Sequence, residues 1–314
     1  MPTVETVLGA IDASQLGVTL SHEHVLVGMG EDNLHYPWRF DWDKSRANAI
    51  RELSEAKAGG VDSMIDLTTP DLGRDVEFVR DVAKASGMNV VVATGIWRDV
   101  PRSFWTRDLD EIADIFVREI EVGIGTSGIK AGAIKVAHDI GGVSPEGERI
   151  LRGAARALKR TGCPISTHHW APERVGTRQV EILREEGAPM DRVCIGHSAD
   201  TTDIPYLESL LNAGVYLSMD RYPGGNGRPD WKERNSTVKT LVERGWADRL
   251  MLGHDYAPAP ILAGHEAAAT NEPTRYLFVS NVAVPALREA MVPQDAIDLM
   301  LREVPRRFLT GATA

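Results

Sequence analysis

Short, continuous apolar runs alternate along this chain with longer amphipathic stretches. The runs are Gly17 to Leu20, Ser63 to Leu67, Asn89 to Thr94, Ala133 to Val136, Pro164 to His168, Val193 to His197, Val215 to Asp220 and Leu250 to Asp255. Runs of this length with a β-branched bias read as strands buried on both faces, the pattern of a parallel sheet. Between them, Asp43 to Ala58, Asp75 to Ser86, Leu109 to Val122, Pro145 to Arg160, Arg174 to Glu186, Ile204 to Ala213 and Lys232 to Arg244 carry helical periodicity, and Val282 to Phe308 supplies closing helices. Punctuation agrees with these bounds. Gly59-Gly60 and Gly87 stop helices, and Ser144 precedes Pro145 as a cap would. Eight strand-then-helix units predict a (β/α)8 TIM barrel, an α/β fold whose chemistry gathers at the C-terminal ends of the strands.

Composition fits that picture. The 314 residues are 43% hydrophobic and 25% charged, enough for a full core, and no composition shift marks a boundary, so residues 1–314 read as one barrel domain. A formal net charge of −10 argues against nucleic acid or an anionic membrane surface as partner. The two cysteines, Cys163 and Cys194, are no disulfide framework and point to a reducing compartment. With neither a signal-peptide pattern nor a bilayer-length apolar run, the expected location is the cytoplasm.

The candidate chemistry begins at Leu20-Ser21-His22-Glu23-His24. Strand alternation turns His22 and His24 to one side and Glu23 to the other, giving half of a transition-metal site. An isolated His-x-His is as readily a pair of packed histidines. Later strand ends decide the matter: Lys135 lies in strand four, His168 ends strand five, His197 ends strand six and Asp255 ends strand eight. Chance would have to put six such residues at the reactive face of one barrel. Four histidines and one aspartate offer too few bridging oxygens for a metal pair. Lys135 makes sense beside cations only as a neutral, reactive amine.

These motifs, together with Gly128-Ile129-Lys130-Ala131-Gly132-Ala133-Ile134-Lys135, Ile165-Ser166-Thr167-His168, Ile195-Gly196-His197 and Met219-Asp220-Arg221, resemble the phosphotriesterase family of the amidohydrolase superfamily. Within it the likeness is greatest to the phosphotriesterase-like lactonases, from about Thr6 to Phe308. The resemblance implies two divalent metal ions, zinc first among candidates that include cobalt, manganese and iron. It implies that Lys135 is carboxylated and bridges them. His22, His24 and Asp255 would bind the buried ion, and His168 and His197 the more exposed one. Asp255 would also carry a proton as the substrate ring opens. Relatives imply a homodimer.

Departures from the family fall in the pocket. Trp97 follows Thr94-Gly95-Ile96 where many lactonase relatives have Tyr, and its indole can only donate a hydrogen bond. The loop Arg221 to Asp230 is short, while Tyr256 to Tyr276 is long and opens Tyr-Ala-Pro-Ala-Pro-Ile-Leu. Trp97, Arg221 and Tyr256 are therefore the expected substrate contacts, with Trp38, Trp42 and Trp105 as further candidates at the mouth. The expected substrate is a lactone with an apolar tail, such as an acyl-homoserine lactone. A phosphotriester or another carboxyl ester is the alternative on the same site. A mononuclear deaminase-type site, which has no use for Lys135, and a non-catalytic metal-binding barrel rank lower. Glu23 and His254 are expected to support the site, His169 to face outward, and His35, His138 and His265 to sit in solvated loops.

Overall fold

The computed structural model describes residues 2–260 and 275–311. Eight parallel strands form one sheet in the order β3 (Thr19–Glu23), β5 (Ser63–Asp66), β6 (Asn89–Ile96), β7 (Ala133–His138), β8 (Ile165–His169), β9 (Val193–Gly196), β10 (Tyr216–Met219) and β11 (Leu250–Leu252). First and last strands meet: Ser21 Oγ donates to the Leu252 carbonyl at 3.0 Å, and the Asp255 amide donates to the His22 carbonyl at 2.9 Å. The predicted (β/α)8 barrel is thereby closed, with α2 (Trp42–Ala58), α3 (Val76–Ser86), α4 (Leu109–Glu121), α5 (Pro145–Thr161), α6 (Val175–Glu185), α7 (Ile204–Leu211) and α8 (Trp231–Glu243) between successive strands, and the short β4 (Leu26–Val27) and α1 (Gly30–His35) between β3 and α2. Among the described residues no helix is long and apolar enough to cross a membrane.

Side-chain parity divides the strands as a barrel requires. Val90, Val92, Ile134, Val136, Ile165, Val193, Ile195 and Leu217 point outward and pack under the helices. Val91, Ala93, Ala133, Cys194, Tyr216 and Met251 point inward and form a floor. Two elements with no sequence forecast finish that floor. The hairpin of β1 (Thr3–Thr6) and β2 (Gly9–Asp12) brings Val4 beneath the barrel, and the 3-10 turn Ala13–Leu16 adds Ala13 and Leu16. A four-residue strand at a chain end carries too little periodicity to read. The C-terminal helices begin earlier than expected, at a π-helical turn Val279–Ala283 that runs into Val284–Glu289.

Above the floor the inward positions become polar. Ser21, Lys135, Ser166, His168, Ser218 and Asp220 are buried there. Strict alternation would send His22 outward, since Ser21 already faces Ser218 across the lumen at 2.8 Å. A register shift between Leu20 and Glu23 in the pairing of β3 with β5 turns His22 inward as well. Similarly His197, just past β9, adopts a left-handed φ of 61°, which brings its ring into the lumen beside inward-facing Gly196. A side chain at Gly196 is excluded, because a Cβ there would lie 2.2 Å from the Thr167 carbonyl.

Two buried histidines behind the sheet set an acid limit to stability. His138 is not in a solvated loop as its sequence context led us to expect; it ends β7, buried, and its Nδ1 accepts from Gln179 Nε2 at 2.8 Å. His169 does face away from the lumen, fully buried, and its Nδ1 donates to the Gly196 carbonyl at 2.6 Å. Burial pushes both imidazoles down to about 4. Because the unfolded chain takes up these protons below the ordinary histidine range and the folded chain does not, stability is full above pH ~6.5 and is lost as pH falls toward 4, on the order of 3 kcal/mol per residue. His169→Gln, which keeps a donor for Gly196 but cannot charge, is expected to lose less stability than the parent between pH 7 and 4.5 in urea unfolding of metal-free protein. An equal loss would show that His169 does not contribute.

Candidate metal centre

Four imidazoles and one carboxylate converge at the C-terminal mouth of the barrel. His22 Nε2, His24 Nε2 and Asp255 lie in one group whose potential ligand atoms are within 4.8 Å of one another. Asp255 Oδ1 is 3.1 Å from His24 Nε2 and 3.5 Å from His22 Nε2. Beside them, His197 Nε2 faces His168 Nδ1 at 2.8 Å. Lys135 reaches the same space from β7, its Nζ 2.9 Å from His22 Nε2. All six residues expected from the sequence thus share one cavity.

The protonation pattern follows from what lies behind each ring. Asp220, fully buried after β10, accepts from His22 Nδ1 at 2.8 Å and from His197 Nδ1 at 2.9 Å, and its Oδ2 also accepts from the His197 amide at 3.1 Å. Thr68 gives its proton to the Leu26 carbonyl, so its oxygen accepts from His24 Nδ1 at 2.8 Å. With Nδ1 of His22, His24 and His197 used as donors, each Nε2 must present a lone pair to the cavity. Burial keeps His22 and His197 below the ordinary histidine range and puts His168 down at about 3, so the rings stay neutral. Burial would raise the carboxyls of Asp220 and Asp255, but the neighbouring imidazoles and, for Asp255, the Arg221 guanidinium outweigh it and hold both well below the usual range. Burial likewise lowers Lys135 to about 8, against the pull of Asp255 and Asp220.

Converging imidazole lone pairs, an ionised carboxylate and a low-pKa amine make a donor set suited to divalent transition metals. Asp220 also falls within ligand distance of His22 and His197. Its oxygens are occupied by N–H donors, however, so it orients the two rings from behind.

Around this centre the aromatic candidates separate. Trp97 stands at the mouth, its ring edge-on to His168 with centroids 5.9 Å apart. Tyr256 turns its hydroxyl away to Glu52 on α2, at 2.9 Å, and packs its ring on Tyr276, leaving no free phenol for a substrate. Arg221 is committed as well: Nε donates to Asp255 Oδ2 at 2.8 Å and Nη1 to Asp200 Oδ2 at 2.6 Å. It anchors the Asp255 carboxylate instead of reaching into the open mouth. Trp42 packs on Phe78 between helices, while Trp38 and Trp105 lie exposed on outer loops. His265 and most of the segment after Tyr256 lie outside the described residues. Glu23 and His254 support the site from outside the lumen. Glu23 Oε1 accepts from both the amide and Nδ1 of His254 at 2.8 Å, and His254 Nε2 accepts from the Val279 amide at 3.0 Å. Sequence reasoning gave no role to Asp220, Asp200 or Thr68. The signals available for Asp220 were its place in the Met219-Asp220-Arg221 motif and its position as an acid closing the apolar run Tyr216–Met219.

A (β/α)8 barrel with histidines and an aspartate converging at its C-terminal mouth defines a class of hydrolase, and comparison with known proteins gives the family. The chain belongs to the phosphotriesterase family, whose sequence profile matches residues 2–309. It is 43% identical to the "Phosphotriesterase homology protein" of Mycobacterium tuberculosis over 98% of each chain. It is 33% identical to the "Aryldialkylphosphatase" of Saccharolobus solfataricus, over 96% of this chain and 97% of that one. The solved structure of the phosphotriesterase from Mycobacterium tuberculosis superposes with a TM-score of 0.93 at 42% identity, covering 98% of both chains. The chain is therefore a hydrolase.

Asp220→Asn leaves one imidazole facing an amide N–H. The expected result is a ~10–100-fold weaker affinity for divalent metal, measured by competition with a chelator. Unchanged affinity would show that Asp220 does not hold the ligand rings.

Proposed function

We propose that this chain opens lactones carrying an apolar tail, acyl-homoserine lactones or close analogues, at a binuclear metal site. In this reading His22, His24 and Asp255 would hold one divalent ion, His168 and His197 would hold the second, and Lys135, once carboxylated, would supply the oxygen ligands they share. When bound, the ions supply Lewis acidity toward the ester carbonyl and toward water. The observation that carries the reading is the convergence of neutral Nε2 lone pairs on Asp255 and Lys135 within one buried cavity.

The chain's own groups have distinct tasks. Asp220 fixes the tautomers of His22 and His197. Asp255, held ionised by the neighbouring imidazoles and Arg221, would take a proton from the attacking water and pass it to the alkoxide that leaves as the ring opens. Lys135 must be neutral to take up carbon dioxide, and a lysine lowered to about 8 is neutral far more often near physiological pH than an ordinary one. Trp97 beside His168 offers a flat apolar wall that suits a planar ester. A tetrahedral phosphorus centre needs room for three substituents, and the wall and the short loop Arg221 to Asp230 restrict it.

Relatives support both carbonyl and phosphoryl chemistry. Proteins named N-acetyltaurine hydrolase, such as that of Homo sapiens at 26% identity, act by name on an N-acyl bond. The 33%-identical aryldialkylphosphatase favours the second reading, phosphotriester hydrolysis at the same centre. The apolar sequence from Tyr256 to Leu262 is the candidate channel for the tail; Ile261 and Leu262 lie outside the described residues, so tail length is the measurement that probes it.

With metal-loaded protein, kcat/KM is expected to be higher for a long-tailed lactone than for an aryl dialkyl phosphate. It should rise with each added methylene by up to ~0.8 kcal/mol, about fourfold, until the channel ends. Trp97→Ala should narrow the gap by admitting bulkier phosphotriesters. Better turnover of the phosphotriester, with no dependence on tail length, would transfer the assignment to the second reading.

Lys135→Ala is expected to be nearly inactive and to regain part of its turnover when a short carboxylic acid is added. Lys135→Arg should not be rescued, since its guanidinium stays charged and fills the space. A fully active Lys135→Ala protein without added acid would refute the bridge.

A further inference from the structure

Behind the metal centre runs a buried chain of alternating charge whose inner links, Asp200 and Arg234, have no part in the proposed reaction. Its first links are Asp255, Arg221 and Asp200, described above. The next is Arg234 on α8, whose side chain is fully buried. Its guanidinium makes three separate bonds. Nη2 donates to Asp200 Oδ1 at 2.8 Å, Nη1 to the Asp220 carbonyl at 2.8 Å, and Nε to the Pro229 carbonyl at 2.9 Å. One side chain therefore touches the residue that orients His22 and His197, the carboxylate that holds Arg221, and the far end of the loop after β10.

That loop is shaped around Arg234. Gly224 and Asp230 form an isolated antiparallel bridge at its neck. Gly224 has φ of 78°, and a Cβ on it would lie 2.3 Å from Arg234 Nε and 2.1 Å from the Pro229 carbonyl. No side chain fits there unless the guanidinium or the loop moves. Arg228, also on the loop, approaches Asp200 only to 3.5 Å and is 40% exposed, so it does not match the buried 2.8 Å bond that Arg234 makes to that carboxylate.

We propose that Arg234 is a positioning residue that couples the loop Arg221 to Asp230 to the metal centre, setting Asp255 through Asp200 and Arg221, and setting Asp220 through its carbonyl. Without Arg234, Asp200 keeps one buried cation. Arg221 then has reason to leave Asp255 for Asp200, since an unpaired buried carboxylate costs more than a shared one. A displacement of the loop, whether by substitution or by a substrate pressing on it, would travel to Asp255 by the same bonds. This coupling rests on the assignment of Asp255 to a metal ion made above.

The test uses the full chain loaded with cobalt(II), whose visible spectrum reports its ligands. Arg234→Lys offers one nitrogen in place of the three that bond separate acceptors, and Gly224→Ala displaces the guanidinium while leaving every charge in place. Both variants, and Asp200→Asn, are expected to bind cobalt at least ~10-fold more weakly and to change its spectrum in the same direction. Gly224→Ala should lower kcat more than it raises KM for whichever ester the parent turns over. Folding is checked by the near-UV signal, and Gly224→Ala carries the test if Arg234→Lys fails to fold. Parental cobalt affinity and spectrum in Gly224→Ala and Asp200→Asn, alongside an altered spectrum in Asp255→Asn, would overturn the coupling and leave the metal reading standing. An unaltered spectrum in Asp255→Asn would instead overturn the metal reading on which the coupling depends.

Discussion

One buried carboxylate, Asp220, is shared between two imidazoles, and the arrangement of the cavity depends on that sharing. Its two oxygens accept from Nδ1 of His22 and of His197 and from the His197 amide. A carboxylate with no exposure is tolerated only when its lone pairs are filled, and here they are filled by N–H donors from strands on different sides of the barrel. The bonds decide the tautomer of both rings, and the tautomer decides which nitrogen faces the lumen. His22 and His197 are stacked, with centroids 4.6 Å apart and an interplanar angle of 26°, so neither ring is free to turn independently.

The same economy of partners holds further out. Thr68 orients His24 because its own proton is spent on Leu26. Gln179 donates to both the His168 carbonyl and His138, tying the end of β8 to β7. Arg221 and Arg234 alternate with Asp255 and Asp200 so that each buried charge has an opposite neighbour. Ion chains of this kind add little net stability, since desolvation offsets attraction, but they fix geometry. Rigid orientation of donor atoms is what a hydrolytic metal centre needs from its protein.

Much of this was legible in the sequence because period and position are coded locally. Apolar runs located the strands to within three residues at either end, and strand ends brought His22, His24, Lys135, His168, His197 and Asp255 to one end of the barrel. What escaped notice depends on contacts distant in sequence or on backbone irregularity. The register shift that turns His22 inward and the left-handed φ of His197 have no local signature. Asp220 and Arg234 look like ordinary strand-end and helix charges until the fold brings them behind the site. His138 was misread for a simpler reason: β7 runs two residues beyond its apolar core, so a strand-end histidine was taken for a loop residue. Arg221 and Tyr256 sit beside the mouth, but their polar atoms are already engaged, and no sequence pattern reveals that a side chain has a partner elsewhere.

Two metal ions in one cavity, bridged through Lys135, is the central claim, and metal content measured together with activity tests it most directly. Protein purified from metal-supplemented medium, with elemental analysis on the same sample used for turnover, is expected to reach full activity at two divalent ions per chain. Activity that saturates at one ion per chain would contradict the account.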